Sequence, residues 1–423
     1  MEKFENLIYD MNKNILQITK INGLVFDNID LIFENIEFNK IEFKNSEIVI
    51  TGNKCPSKKI LLRSDSDSLN FKNCSFTEEL KFDGFLNRNI KFNNCNFTDI
   101  TLINIQKNNE QIKNEFILKN TKSIKNLTID SCEFYGKFYI NKQDDKNYNE
   151  IQIEKLILKN SEFKNNFKLH NCRIGEVEIK DIDFEKNADF YKSKFIKGVD
   201  DKDIYFKSIN FKGLALFGDT EFFQKLIYKY VTFEGHNHFK SAKLHKGLDL
   251  EYTNIQKEIN FYGIEILDKN TTSQETYRII KNQFEKLNNK IEANKYHALE
   301  LDQRKKELEK NKYKNFAEYL VFKIHDISSK HSTSWFRAVL WIIFIGFFTI
   351  FLVHFDIVKD LFFYPSNFKT EYLSKIWNEF WQYINITNLE KLKNKPFIFF
   401  FNKVSLGYLY YQCLTAVRKD TRK

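Results

Sequence analysis

The residues able to do chemistry are few and scattered. His297 and Glu300 stand three apart, which puts both on one helix face as half of a metal site. The chain offers no second pair of that kind, so the spacing reads as a surface ion pair. His236, His238 and His245 lie close together but lack acidic or cysteine partners in the sequence around them. The 6 cysteines include no CxxC-type pair, which argues against a zinc ribbon or a dithiol redox centre. No Walker loop, dinucleotide fingerprint, nucleophile elbow or metalloprotease signature occurs. The sequence therefore predicts no enzyme: no catalytic residue, cofactor or metal ligand is assigned. The remaining polar chemistry is unusual for its setting. Asn402, Lys403 and Gln412 interrupt an otherwise apolar stretch, where polar groups mark helix contacts or polar paths.

The elements that hold these residues begin with a repeat. Phe33, Phe38, Phe43 and Ile48 are spaced by five. The spacing recurs at Phe71/Phe76, Phe92/Phe97, Ile129/Phe134, Leu158/Phe163 and Leu169/Ile174, and continues to Leu250/Ile255. A period of five fits neither the 3.6 of a helix nor the 2 of a strand. It fits a chain that turns a corner every five residues and sends one large side chain per side into a central axis. Four such sides make a coil of about twenty residues, and coils stack. Cys74, Cys95, Cys132 and Cys172 each stand two residues before Phe76, Phe97, Phe134 or Ile174, and Ser46 and Ser161 take the same slot. A small side chain belongs there because it shares the interior with the bulky one. Those four cysteines read as core fillers.

With the small slot filled and the central Phe or Ile following it, the segment resembles the pentapeptide-repeat family. The resemblance implies a mainly β fold, a right-handed quadrilateral β-helix over residues 24–268, with residues 1–23 as an N-terminal cap. Residues 101–127 and 135–155 break register, and the polar run Asn141–Asn149 reads as an inserted loop. Some members of the family mimic DNA, which takes a strongly acidic exterior. Here residues 1–270 carry 41 Lys+Arg and 41 Asp+Glu, so neither mimicry nor a nucleic-acid partner is expected. The net charge of +10 belongs wholly to residues 271–423, with 25 basic and 15 acidic residues.

Near residue 270 the period changes. Thr272-Ser-Gln-Glu275 reads as a capping box, and Tyr277, Ile280, Phe284, Leu287 and Ile291 follow as an apolar helical stripe. A connector over 272–333 is expected, folded as a helical hairpin at Asn288-Asn289 or running on as a coiled coil. With Glu275-Thr-Tyr-Arg-Ile-Ile-Lys281, Glu292-Ala293, His297 and Glu300, it looks like the connector of membrane-linked pentapeptide-repeat proteins.

Residues 338–353 are apolar throughout except Thr349, so a transmembrane helix is predicted over 335–357. A second is predicted over 397–417, although it carries Asn402, Lys403 and Gln412. Residues 301–337 hold nine basic and five acidic residues, and the tail 418–423 holds four and one, whereas 356–396 is nearly balanced. Basic flanks stay in the cytoplasm, so both termini are expected on the cytoplasmic side of a bacterial inner membrane. No signal peptide is seen. Residues 358–395 then form an extracytoplasmic loop, with Tyr372, Leu373, Ile376, Trp377, Phe380, Trp381 and Ile384 on one face of an interfacial or pore helix.

Ser334-Trp-Phe-Arg-Ala338 entering one span and Leu406-Gly407 with Ala416-Val-Arg-Lys419 ending the other resemble proteins carrying a two-span cation-channel module. Gly346 and Gly407 would let such helices pack closely. The loop Ile384-Asn-Ile-Thr-Asn-Leu-Glu390 has no glycine and so lacks the potassium-filter pattern. Two functions follow as expectations. The first is a membrane-anchored scaffold whose partners are the lipid bilayer and an unidentified protein. The second is a homo-oligomeric pore using Lys403, Asn402, Gly407 and Gly346.

Overall fold

The computed structural model describes backbone in segments between residues 7 and 84, with some side chains from Phe71. It also describes residues 89–106, 115–141, 149–310, 315–355, 370–388, 390, 392 and 394–421. The chain divides into two compact units, Met1–Leu287 and Asn288–Lys423.

The first unit is a stack of parallel strands. One sheet runs in chain order from Leu31–Glu34 through Ser68–Lys72, Asn89–Asn93 and seven further strands to Ile259–Asn260. Phe92 aligns with Phe71 in the coil before it and with Leu118 in the coil after it. Parallel neighbours separated by one circuit of chain make a solenoid. From Ser75–Asp83 onward the other strands stack layer on layer in the same way, and Cys172–Phe184 is long enough to pair with both Lys194–Gly198 and Ile204–Phe211. Short circuits of chain alternate with longer ones, so the irregular stretches at 101–127 and 135–155 insert chain without ending the stack.

The chain bends at residues with left-handed backbone. Asn160, Asn171, Asp181 and Lys192 have φ between 47° and 56°, as Ser208, Asp219, Tyr230 and Ser241 have between 51° and 59°, and within each set of four the bends are ten or eleven residues apart. Asn and Asp adopt this conformation more readily than other non-glycine residues. The residue after such a bend is often the small one: Ser161, Cys172, Ser193, Thr220 and Ala242 all follow one and all are buried.

Stacking at ~4.8 Å per strand puts equivalent rings at stacking distance. Phe134, Phe163, Phe184, Phe211 and Phe233 form one ladder, with centroids 5.2–5.3 Å apart and planes within 13°. Phe76, Phe97, Cys95, Cys132, Cys172 and Ile174 are buried as the repeat requires. Phe33, Phe38 and Phe43 lie on parallel strands paired with Phe71, Phe76 and Phe82, while Cys74 and Ser46 fall outside the described residues. Ile48 needs correction. Glu47–Gly52 turns back antiparallel on Lys40–Lys44, with Phe43 opposite Ile48, so the first five-residue run ends in a hairpin. The neutral exterior is paired between coils, for example Lys155–Glu176 at 2.6 Å and Lys159–Glu178 at 2.9 Å.

A stack of parallel strands ends in unpaired N–H groups, and helix α1 (Gln274–Lys286) supplies their partners. Thr272 Oγ1 accepts from the Leu248 N–H at 3.1 Å, Thr276 Oγ1 from Leu250 at 3.0 Å and Gln283 Oε1 from Ile259 at 3.0 Å. Tyr277, Ile280 and Phe284 are buried, and α1 contacts the Leu248–Ile255 and Ile259–Asn260 strands. This corrects the capping box. Ser273 is the N-cap, accepting from the Thr276 N–H, while Glu275 pairs with Arg278 and Thr272 serves the solenoid. The apolar stripe also stops early, since Leu287 and Ile291 are exposed. The helix breaks at the asparagine pair as expected, with Asn288 at φ 57°.

The second unit is helical: α2 (Lys290–Lys310), α3 (Phe316–Ser329), α4 (Trp335–Val353), α5 (Thr370–Ile384) and α6 (Pro396–Thr421). Helix α4 packs on both α5 and α6. Ile342 and Ile345 meet Leu406 and Leu409 in one cluster; Ile350, Phe380, Tyr383 and Leu392 form another. Among the described residues α4 alone combines the length and apolarity needed to cross a membrane.

Two outcomes are expected. Gln283→Leu keeps the bulk of the side chain but strands the Ile259 N–H, which costs about 1–3 kcal/mol. An earlier urea midpoint and faster amide exchange in the last coil would register it. Burial pushes the Cys132 thiol up to about 12 and the Cys172 thiol up as well. Both should resist maleimide at pH 7.5 and react only in denaturant, which mass spectrometry reads directly.

Candidate functional site

The densest buried polar cluster outside the solenoid lies where α3 gives way to α4, in His325-Asp-Ile-Ser-Ser-Lys-His-Ser-Thr-Ser334. Helix α3 ends at Ser329, and the next three residues all adopt left-handed backbone: Lys330 at φ 48°, His331 at 57° and Ser332 at 58°. Each costs roughly 1–2 kcal/mol outside glycine, so the surroundings must hold the turn. Lys330 N–H donates to Asp326 O at 2.8 Å, Ser332 N–H to Ser329 Oγ at 2.8 Å and Ser334 N–H to Ser329 O at 2.9 Å.

Side chains then tie the turn to α6. Ser329 Oγ and Ser332 Oγ both donate to Gln412 Oε1, at 2.9 and 2.6 Å, and Ser328 Oγ lies 3.2 Å from the Tyr408 hydroxyl. His325 Nδ1 and His331 Nδ1 face each other at 3.2 Å. Burial holds both imidazoles below the ordinary histidine value, so they are neutral near pH 7. Burial alone would raise the Asp326 carboxyl, but the Lys305 ammonium at 2.6 Å holds it below its usual range. Asp302 on α2, Asp326 on α3 and His331 bring three ligand atoms within 4.8 Å of one another.

The residues singled out in the apolar stretch have structural partners. Asn402 Nδ2 donates to Thr349 Oγ1 at 2.8 Å, with both residues buried, joining α6 to α4. Lys403 Nζ reaches the Asn385 carbonyl at 2.7 Å. A Cβ on Gly346 would come 2.6 Å from Ile384 Cγ2 and 2.7 Å from Phe380 Cε2, so this glycine lets α4 and α5 touch. Gly407 is less confined, its nearest such contact being Ile386 Cδ1 at 3.4 Å. His297 and Glu300 form the ion pair the spacing suggested, at 3.4 Å. His236 and His245 differ from expectation. Stacking brings Glu258 to 3.5 Å of the first and Glu221 to 3.6 Å of the second, from neighbouring coils. Each histidine thus meets one carboxylate, fewer ligands than a metal site needs.

The cluster around His331 escaped the sequence reading because Asp302 and His331 lie on separate elements, with all of α3 between them. The visible signal was His325 and His331 six apart in a serine-rich stretch just before an apolar helix. Replacing Gln412 with Leu should strand the Ser332 hydroxyl, at about 1–3 kcal/mol, and leave Ser329 Oγ only its longer 3.3 Å bond to the His325 carbonyl. Thermal unfolding of the full chain in detergent should fall accordingly, with faster exchange at residues 330–334. An unchanged midpoint and unchanged exchange would contradict the network. Comparison with protein-family models, curated proteins and solved structures finds no match to this chain.

Proposed function

We propose that this chain is a membrane-anchored, non-enzymatic interaction scaffold. A right-handed four-sided β-helix of the pentapeptide-repeat type would stand in the cytoplasm of a bacterium, with α4 crossing the inner membrane and α6, less apolar because of Asn402, Lys403 and Gln412, crossing beside it with two of those residues bonded within the helical unit. The observation carrying the proposal is the apolar exterior of the helical unit. Phe336, Leu340, Phe344, Phe347 and Phe351 of α4 are exposed, as are Phe397, Phe400, Phe401, Val404 and Leu414 of α6. Water would not tolerate apolar surface on that scale, whereas hydrocarbon does. Helix α6 spans 26 residues, ~39 Å at 1.5 Å per residue, enough for the ~30 Å hydrocarbon core. Its Asn402 and Gln412 are bonded to Thr349 and to the two serines, as polar groups between membrane helices should be.

The flanking elements support the same reading. Helix α3 exposes Phe316, Leu320, Val321, Ile324 and Ile327 at helical spacing, and α5 exposes Trp377 and Trp381. Such faces suit the membrane interface. Left-handed bends every ten or eleven residues support a four-sided coil with two such corners per turn. On the solenoid exterior, Tyr230 and Tyr252 are each 59% exposed with rings 6.0 Å apart. An exposed tyrosine pair is the kind of feature a protein partner uses as an anchor.

The pore reading has less support, because Asn402, Lys403 and Gly346 are each engaged within one protomer. A reporter fused after Lys423 should be active only in a form that works in the cytoplasm, and the chain should remain in membranes after carbonate extraction. Activity confined to the periplasmic form would overturn the topology. In planar bilayers the purified protein should be silent. Reproducible unitary currents altered by Lys403→Ala would replace the scaffold with a channel.

A further inference from the structure

Three side chains that sequence spacing never links converge beside the turn after α3. Asp302 comes from α2, Asp326 from α3 and His331 from the turn itself, with one ligand atom of each within 4.8 Å of the others. Acidic residues gather on many surfaces without consequence. The difference here is His331, which is 2% exposed and whose Nε2 is buried with no hydrogen-bond partner. That nitrogen lies 3.9 Å from Asp326 Oδ1, too far for a hydrogen bond.

Proton placement follows from the network around it. Ser332 donates its hydroxyl proton to Gln412 Oε1, so it accepts from the His325 Nε2 that lies 3.5 Å away. Two ring nitrogens 3.2 Å apart share one proton, so with its Nε2 turned to Ser332 His325 offers Nδ1 as the acceptor. His331 Nδ1–H is therefore the donor across the 3.2 Å contact, and the His331 Nε2 lone pair is left 3.9 Å from Asp326 Oδ1. Three ligand atoms within 4.8 Å of one another, one of them an unpartnered buried nitrogen, are spaced to close on a cation. Lys305 does not fill that place, because its ammonium binds Asp326 Oδ2 and leaves Oδ1 towards the histidine.

We propose that Asp302, Asp326 and His331 bind one divalent first-row transition-metal ion, of the zinc or manganese type. A ligating imidazole ordinarily donates its other N–H to a second group, and His325 is that group here. The nitrogen donor disfavours calcium and magnesium, which take oxygen ligands. Ligands around zinc at ~2.0–2.2 Å stand roughly 3–3.6 Å apart, so the set closes by about 1 Å on binding. Water completes the shell. The ion would tie α2 to α3 and to the strained turn that Gln412 of α6 also holds, and this does not depend on the scaffold reading.

The test uses the full chain in detergent, stripped with chelator and titrated with Co2+ and then with Zn2+ in competition. One ion per chain is expected, with visible cobalt bands of nitrogen–oxygen coordination and no thiolate charge-transfer band. His331→Ala should abolish binding, and His325→Ala should weaken it about 10–100-fold, the usual effect of losing an outer partner. Asp302→Asn, at a half-buried site, should weaken binding while leaving the circular dichroism unchanged, which separates ligand loss from unfolding. No saturable binding at micromolar Co2+ or Zn2+, binding untouched in His331→Ala or Asp302→Asn, or equal affinity for Mg2+ would each overturn the site.

Discussion

Every backbone N–H and C=O taken out of water needs a partner, and this requirement organises the chain more than any single contact. In the solenoid each coil supplies partners for the next, so the interior is filled by whatever stacks at the strand spacing. Phenylalanine does so, and the Phe134-to-Phe233 ladder follows from the ladder of hydrogen bonds around it. A small residue, Cys132 or Ser161, sits two before Phe134 and Phe163, whereas Ile182, Ile209 and Val231 take that slot before Phe184, Phe211 and Phe233 and are equally buried, so the interior accepts a second branched side chain in the later coils. The same requirement explains α1. The last coil has no successor, and Thr272, Thr276 and Gln283 stand in for the missing strand with side-chain oxygens.

In the helical unit the backbone satisfies itself, and the difficulty shifts to side chains. Polar groups within or beside the apolar helices are drawn into bonds between helices: Asn402 to Thr349, Ser329 and Ser332 to Gln412. Beside the buried clusters, further apolar side chains such as Phe344, Phe347, Phe400 and Leu414 point outward. A solvent of hydrocarbon would accommodate both facts, which is why the membrane reading is preferred to a water-soluble helical domain.

Much of the solenoid was legible because its signal is repetitive. The five-residue spacing and the small slot named Cys95, Cys132, Cys172, Phe134, Phe163 and Ile174 as interior residues, and all are buried. Ile48 misled because five-residue spacing is indifferent to a hairpin that happens to keep it. The capping box misled because Thr272 and Ser273 are adjacent hydroxyl residues, and only the open edge of the solenoid distinguishes their tasks. Asn402 and Lys403 were conspicuous as polar residues among apolar ones, yet their partners Thr349 and Asn385 lie 53 and 18 residues away. The Asp302, Asp326 and His331 cluster was invisible for the same reason. Pairings made by folding across elements leave no spacing to read.

The central claim is that one chain faces two solvents. Spin labels placed singly at Phe344, Phe347, Phe401 and Leu414, and at Tyr230 and Tyr252 as controls, would test it in reconstituted bilayers. Accessibility to oxygen against a water-soluble nickel relaxant should be high at the four helical sites and low at the two tyrosines. Nickel access at the helical sites equal to that at the tyrosines would place those helices in water and contradict the account.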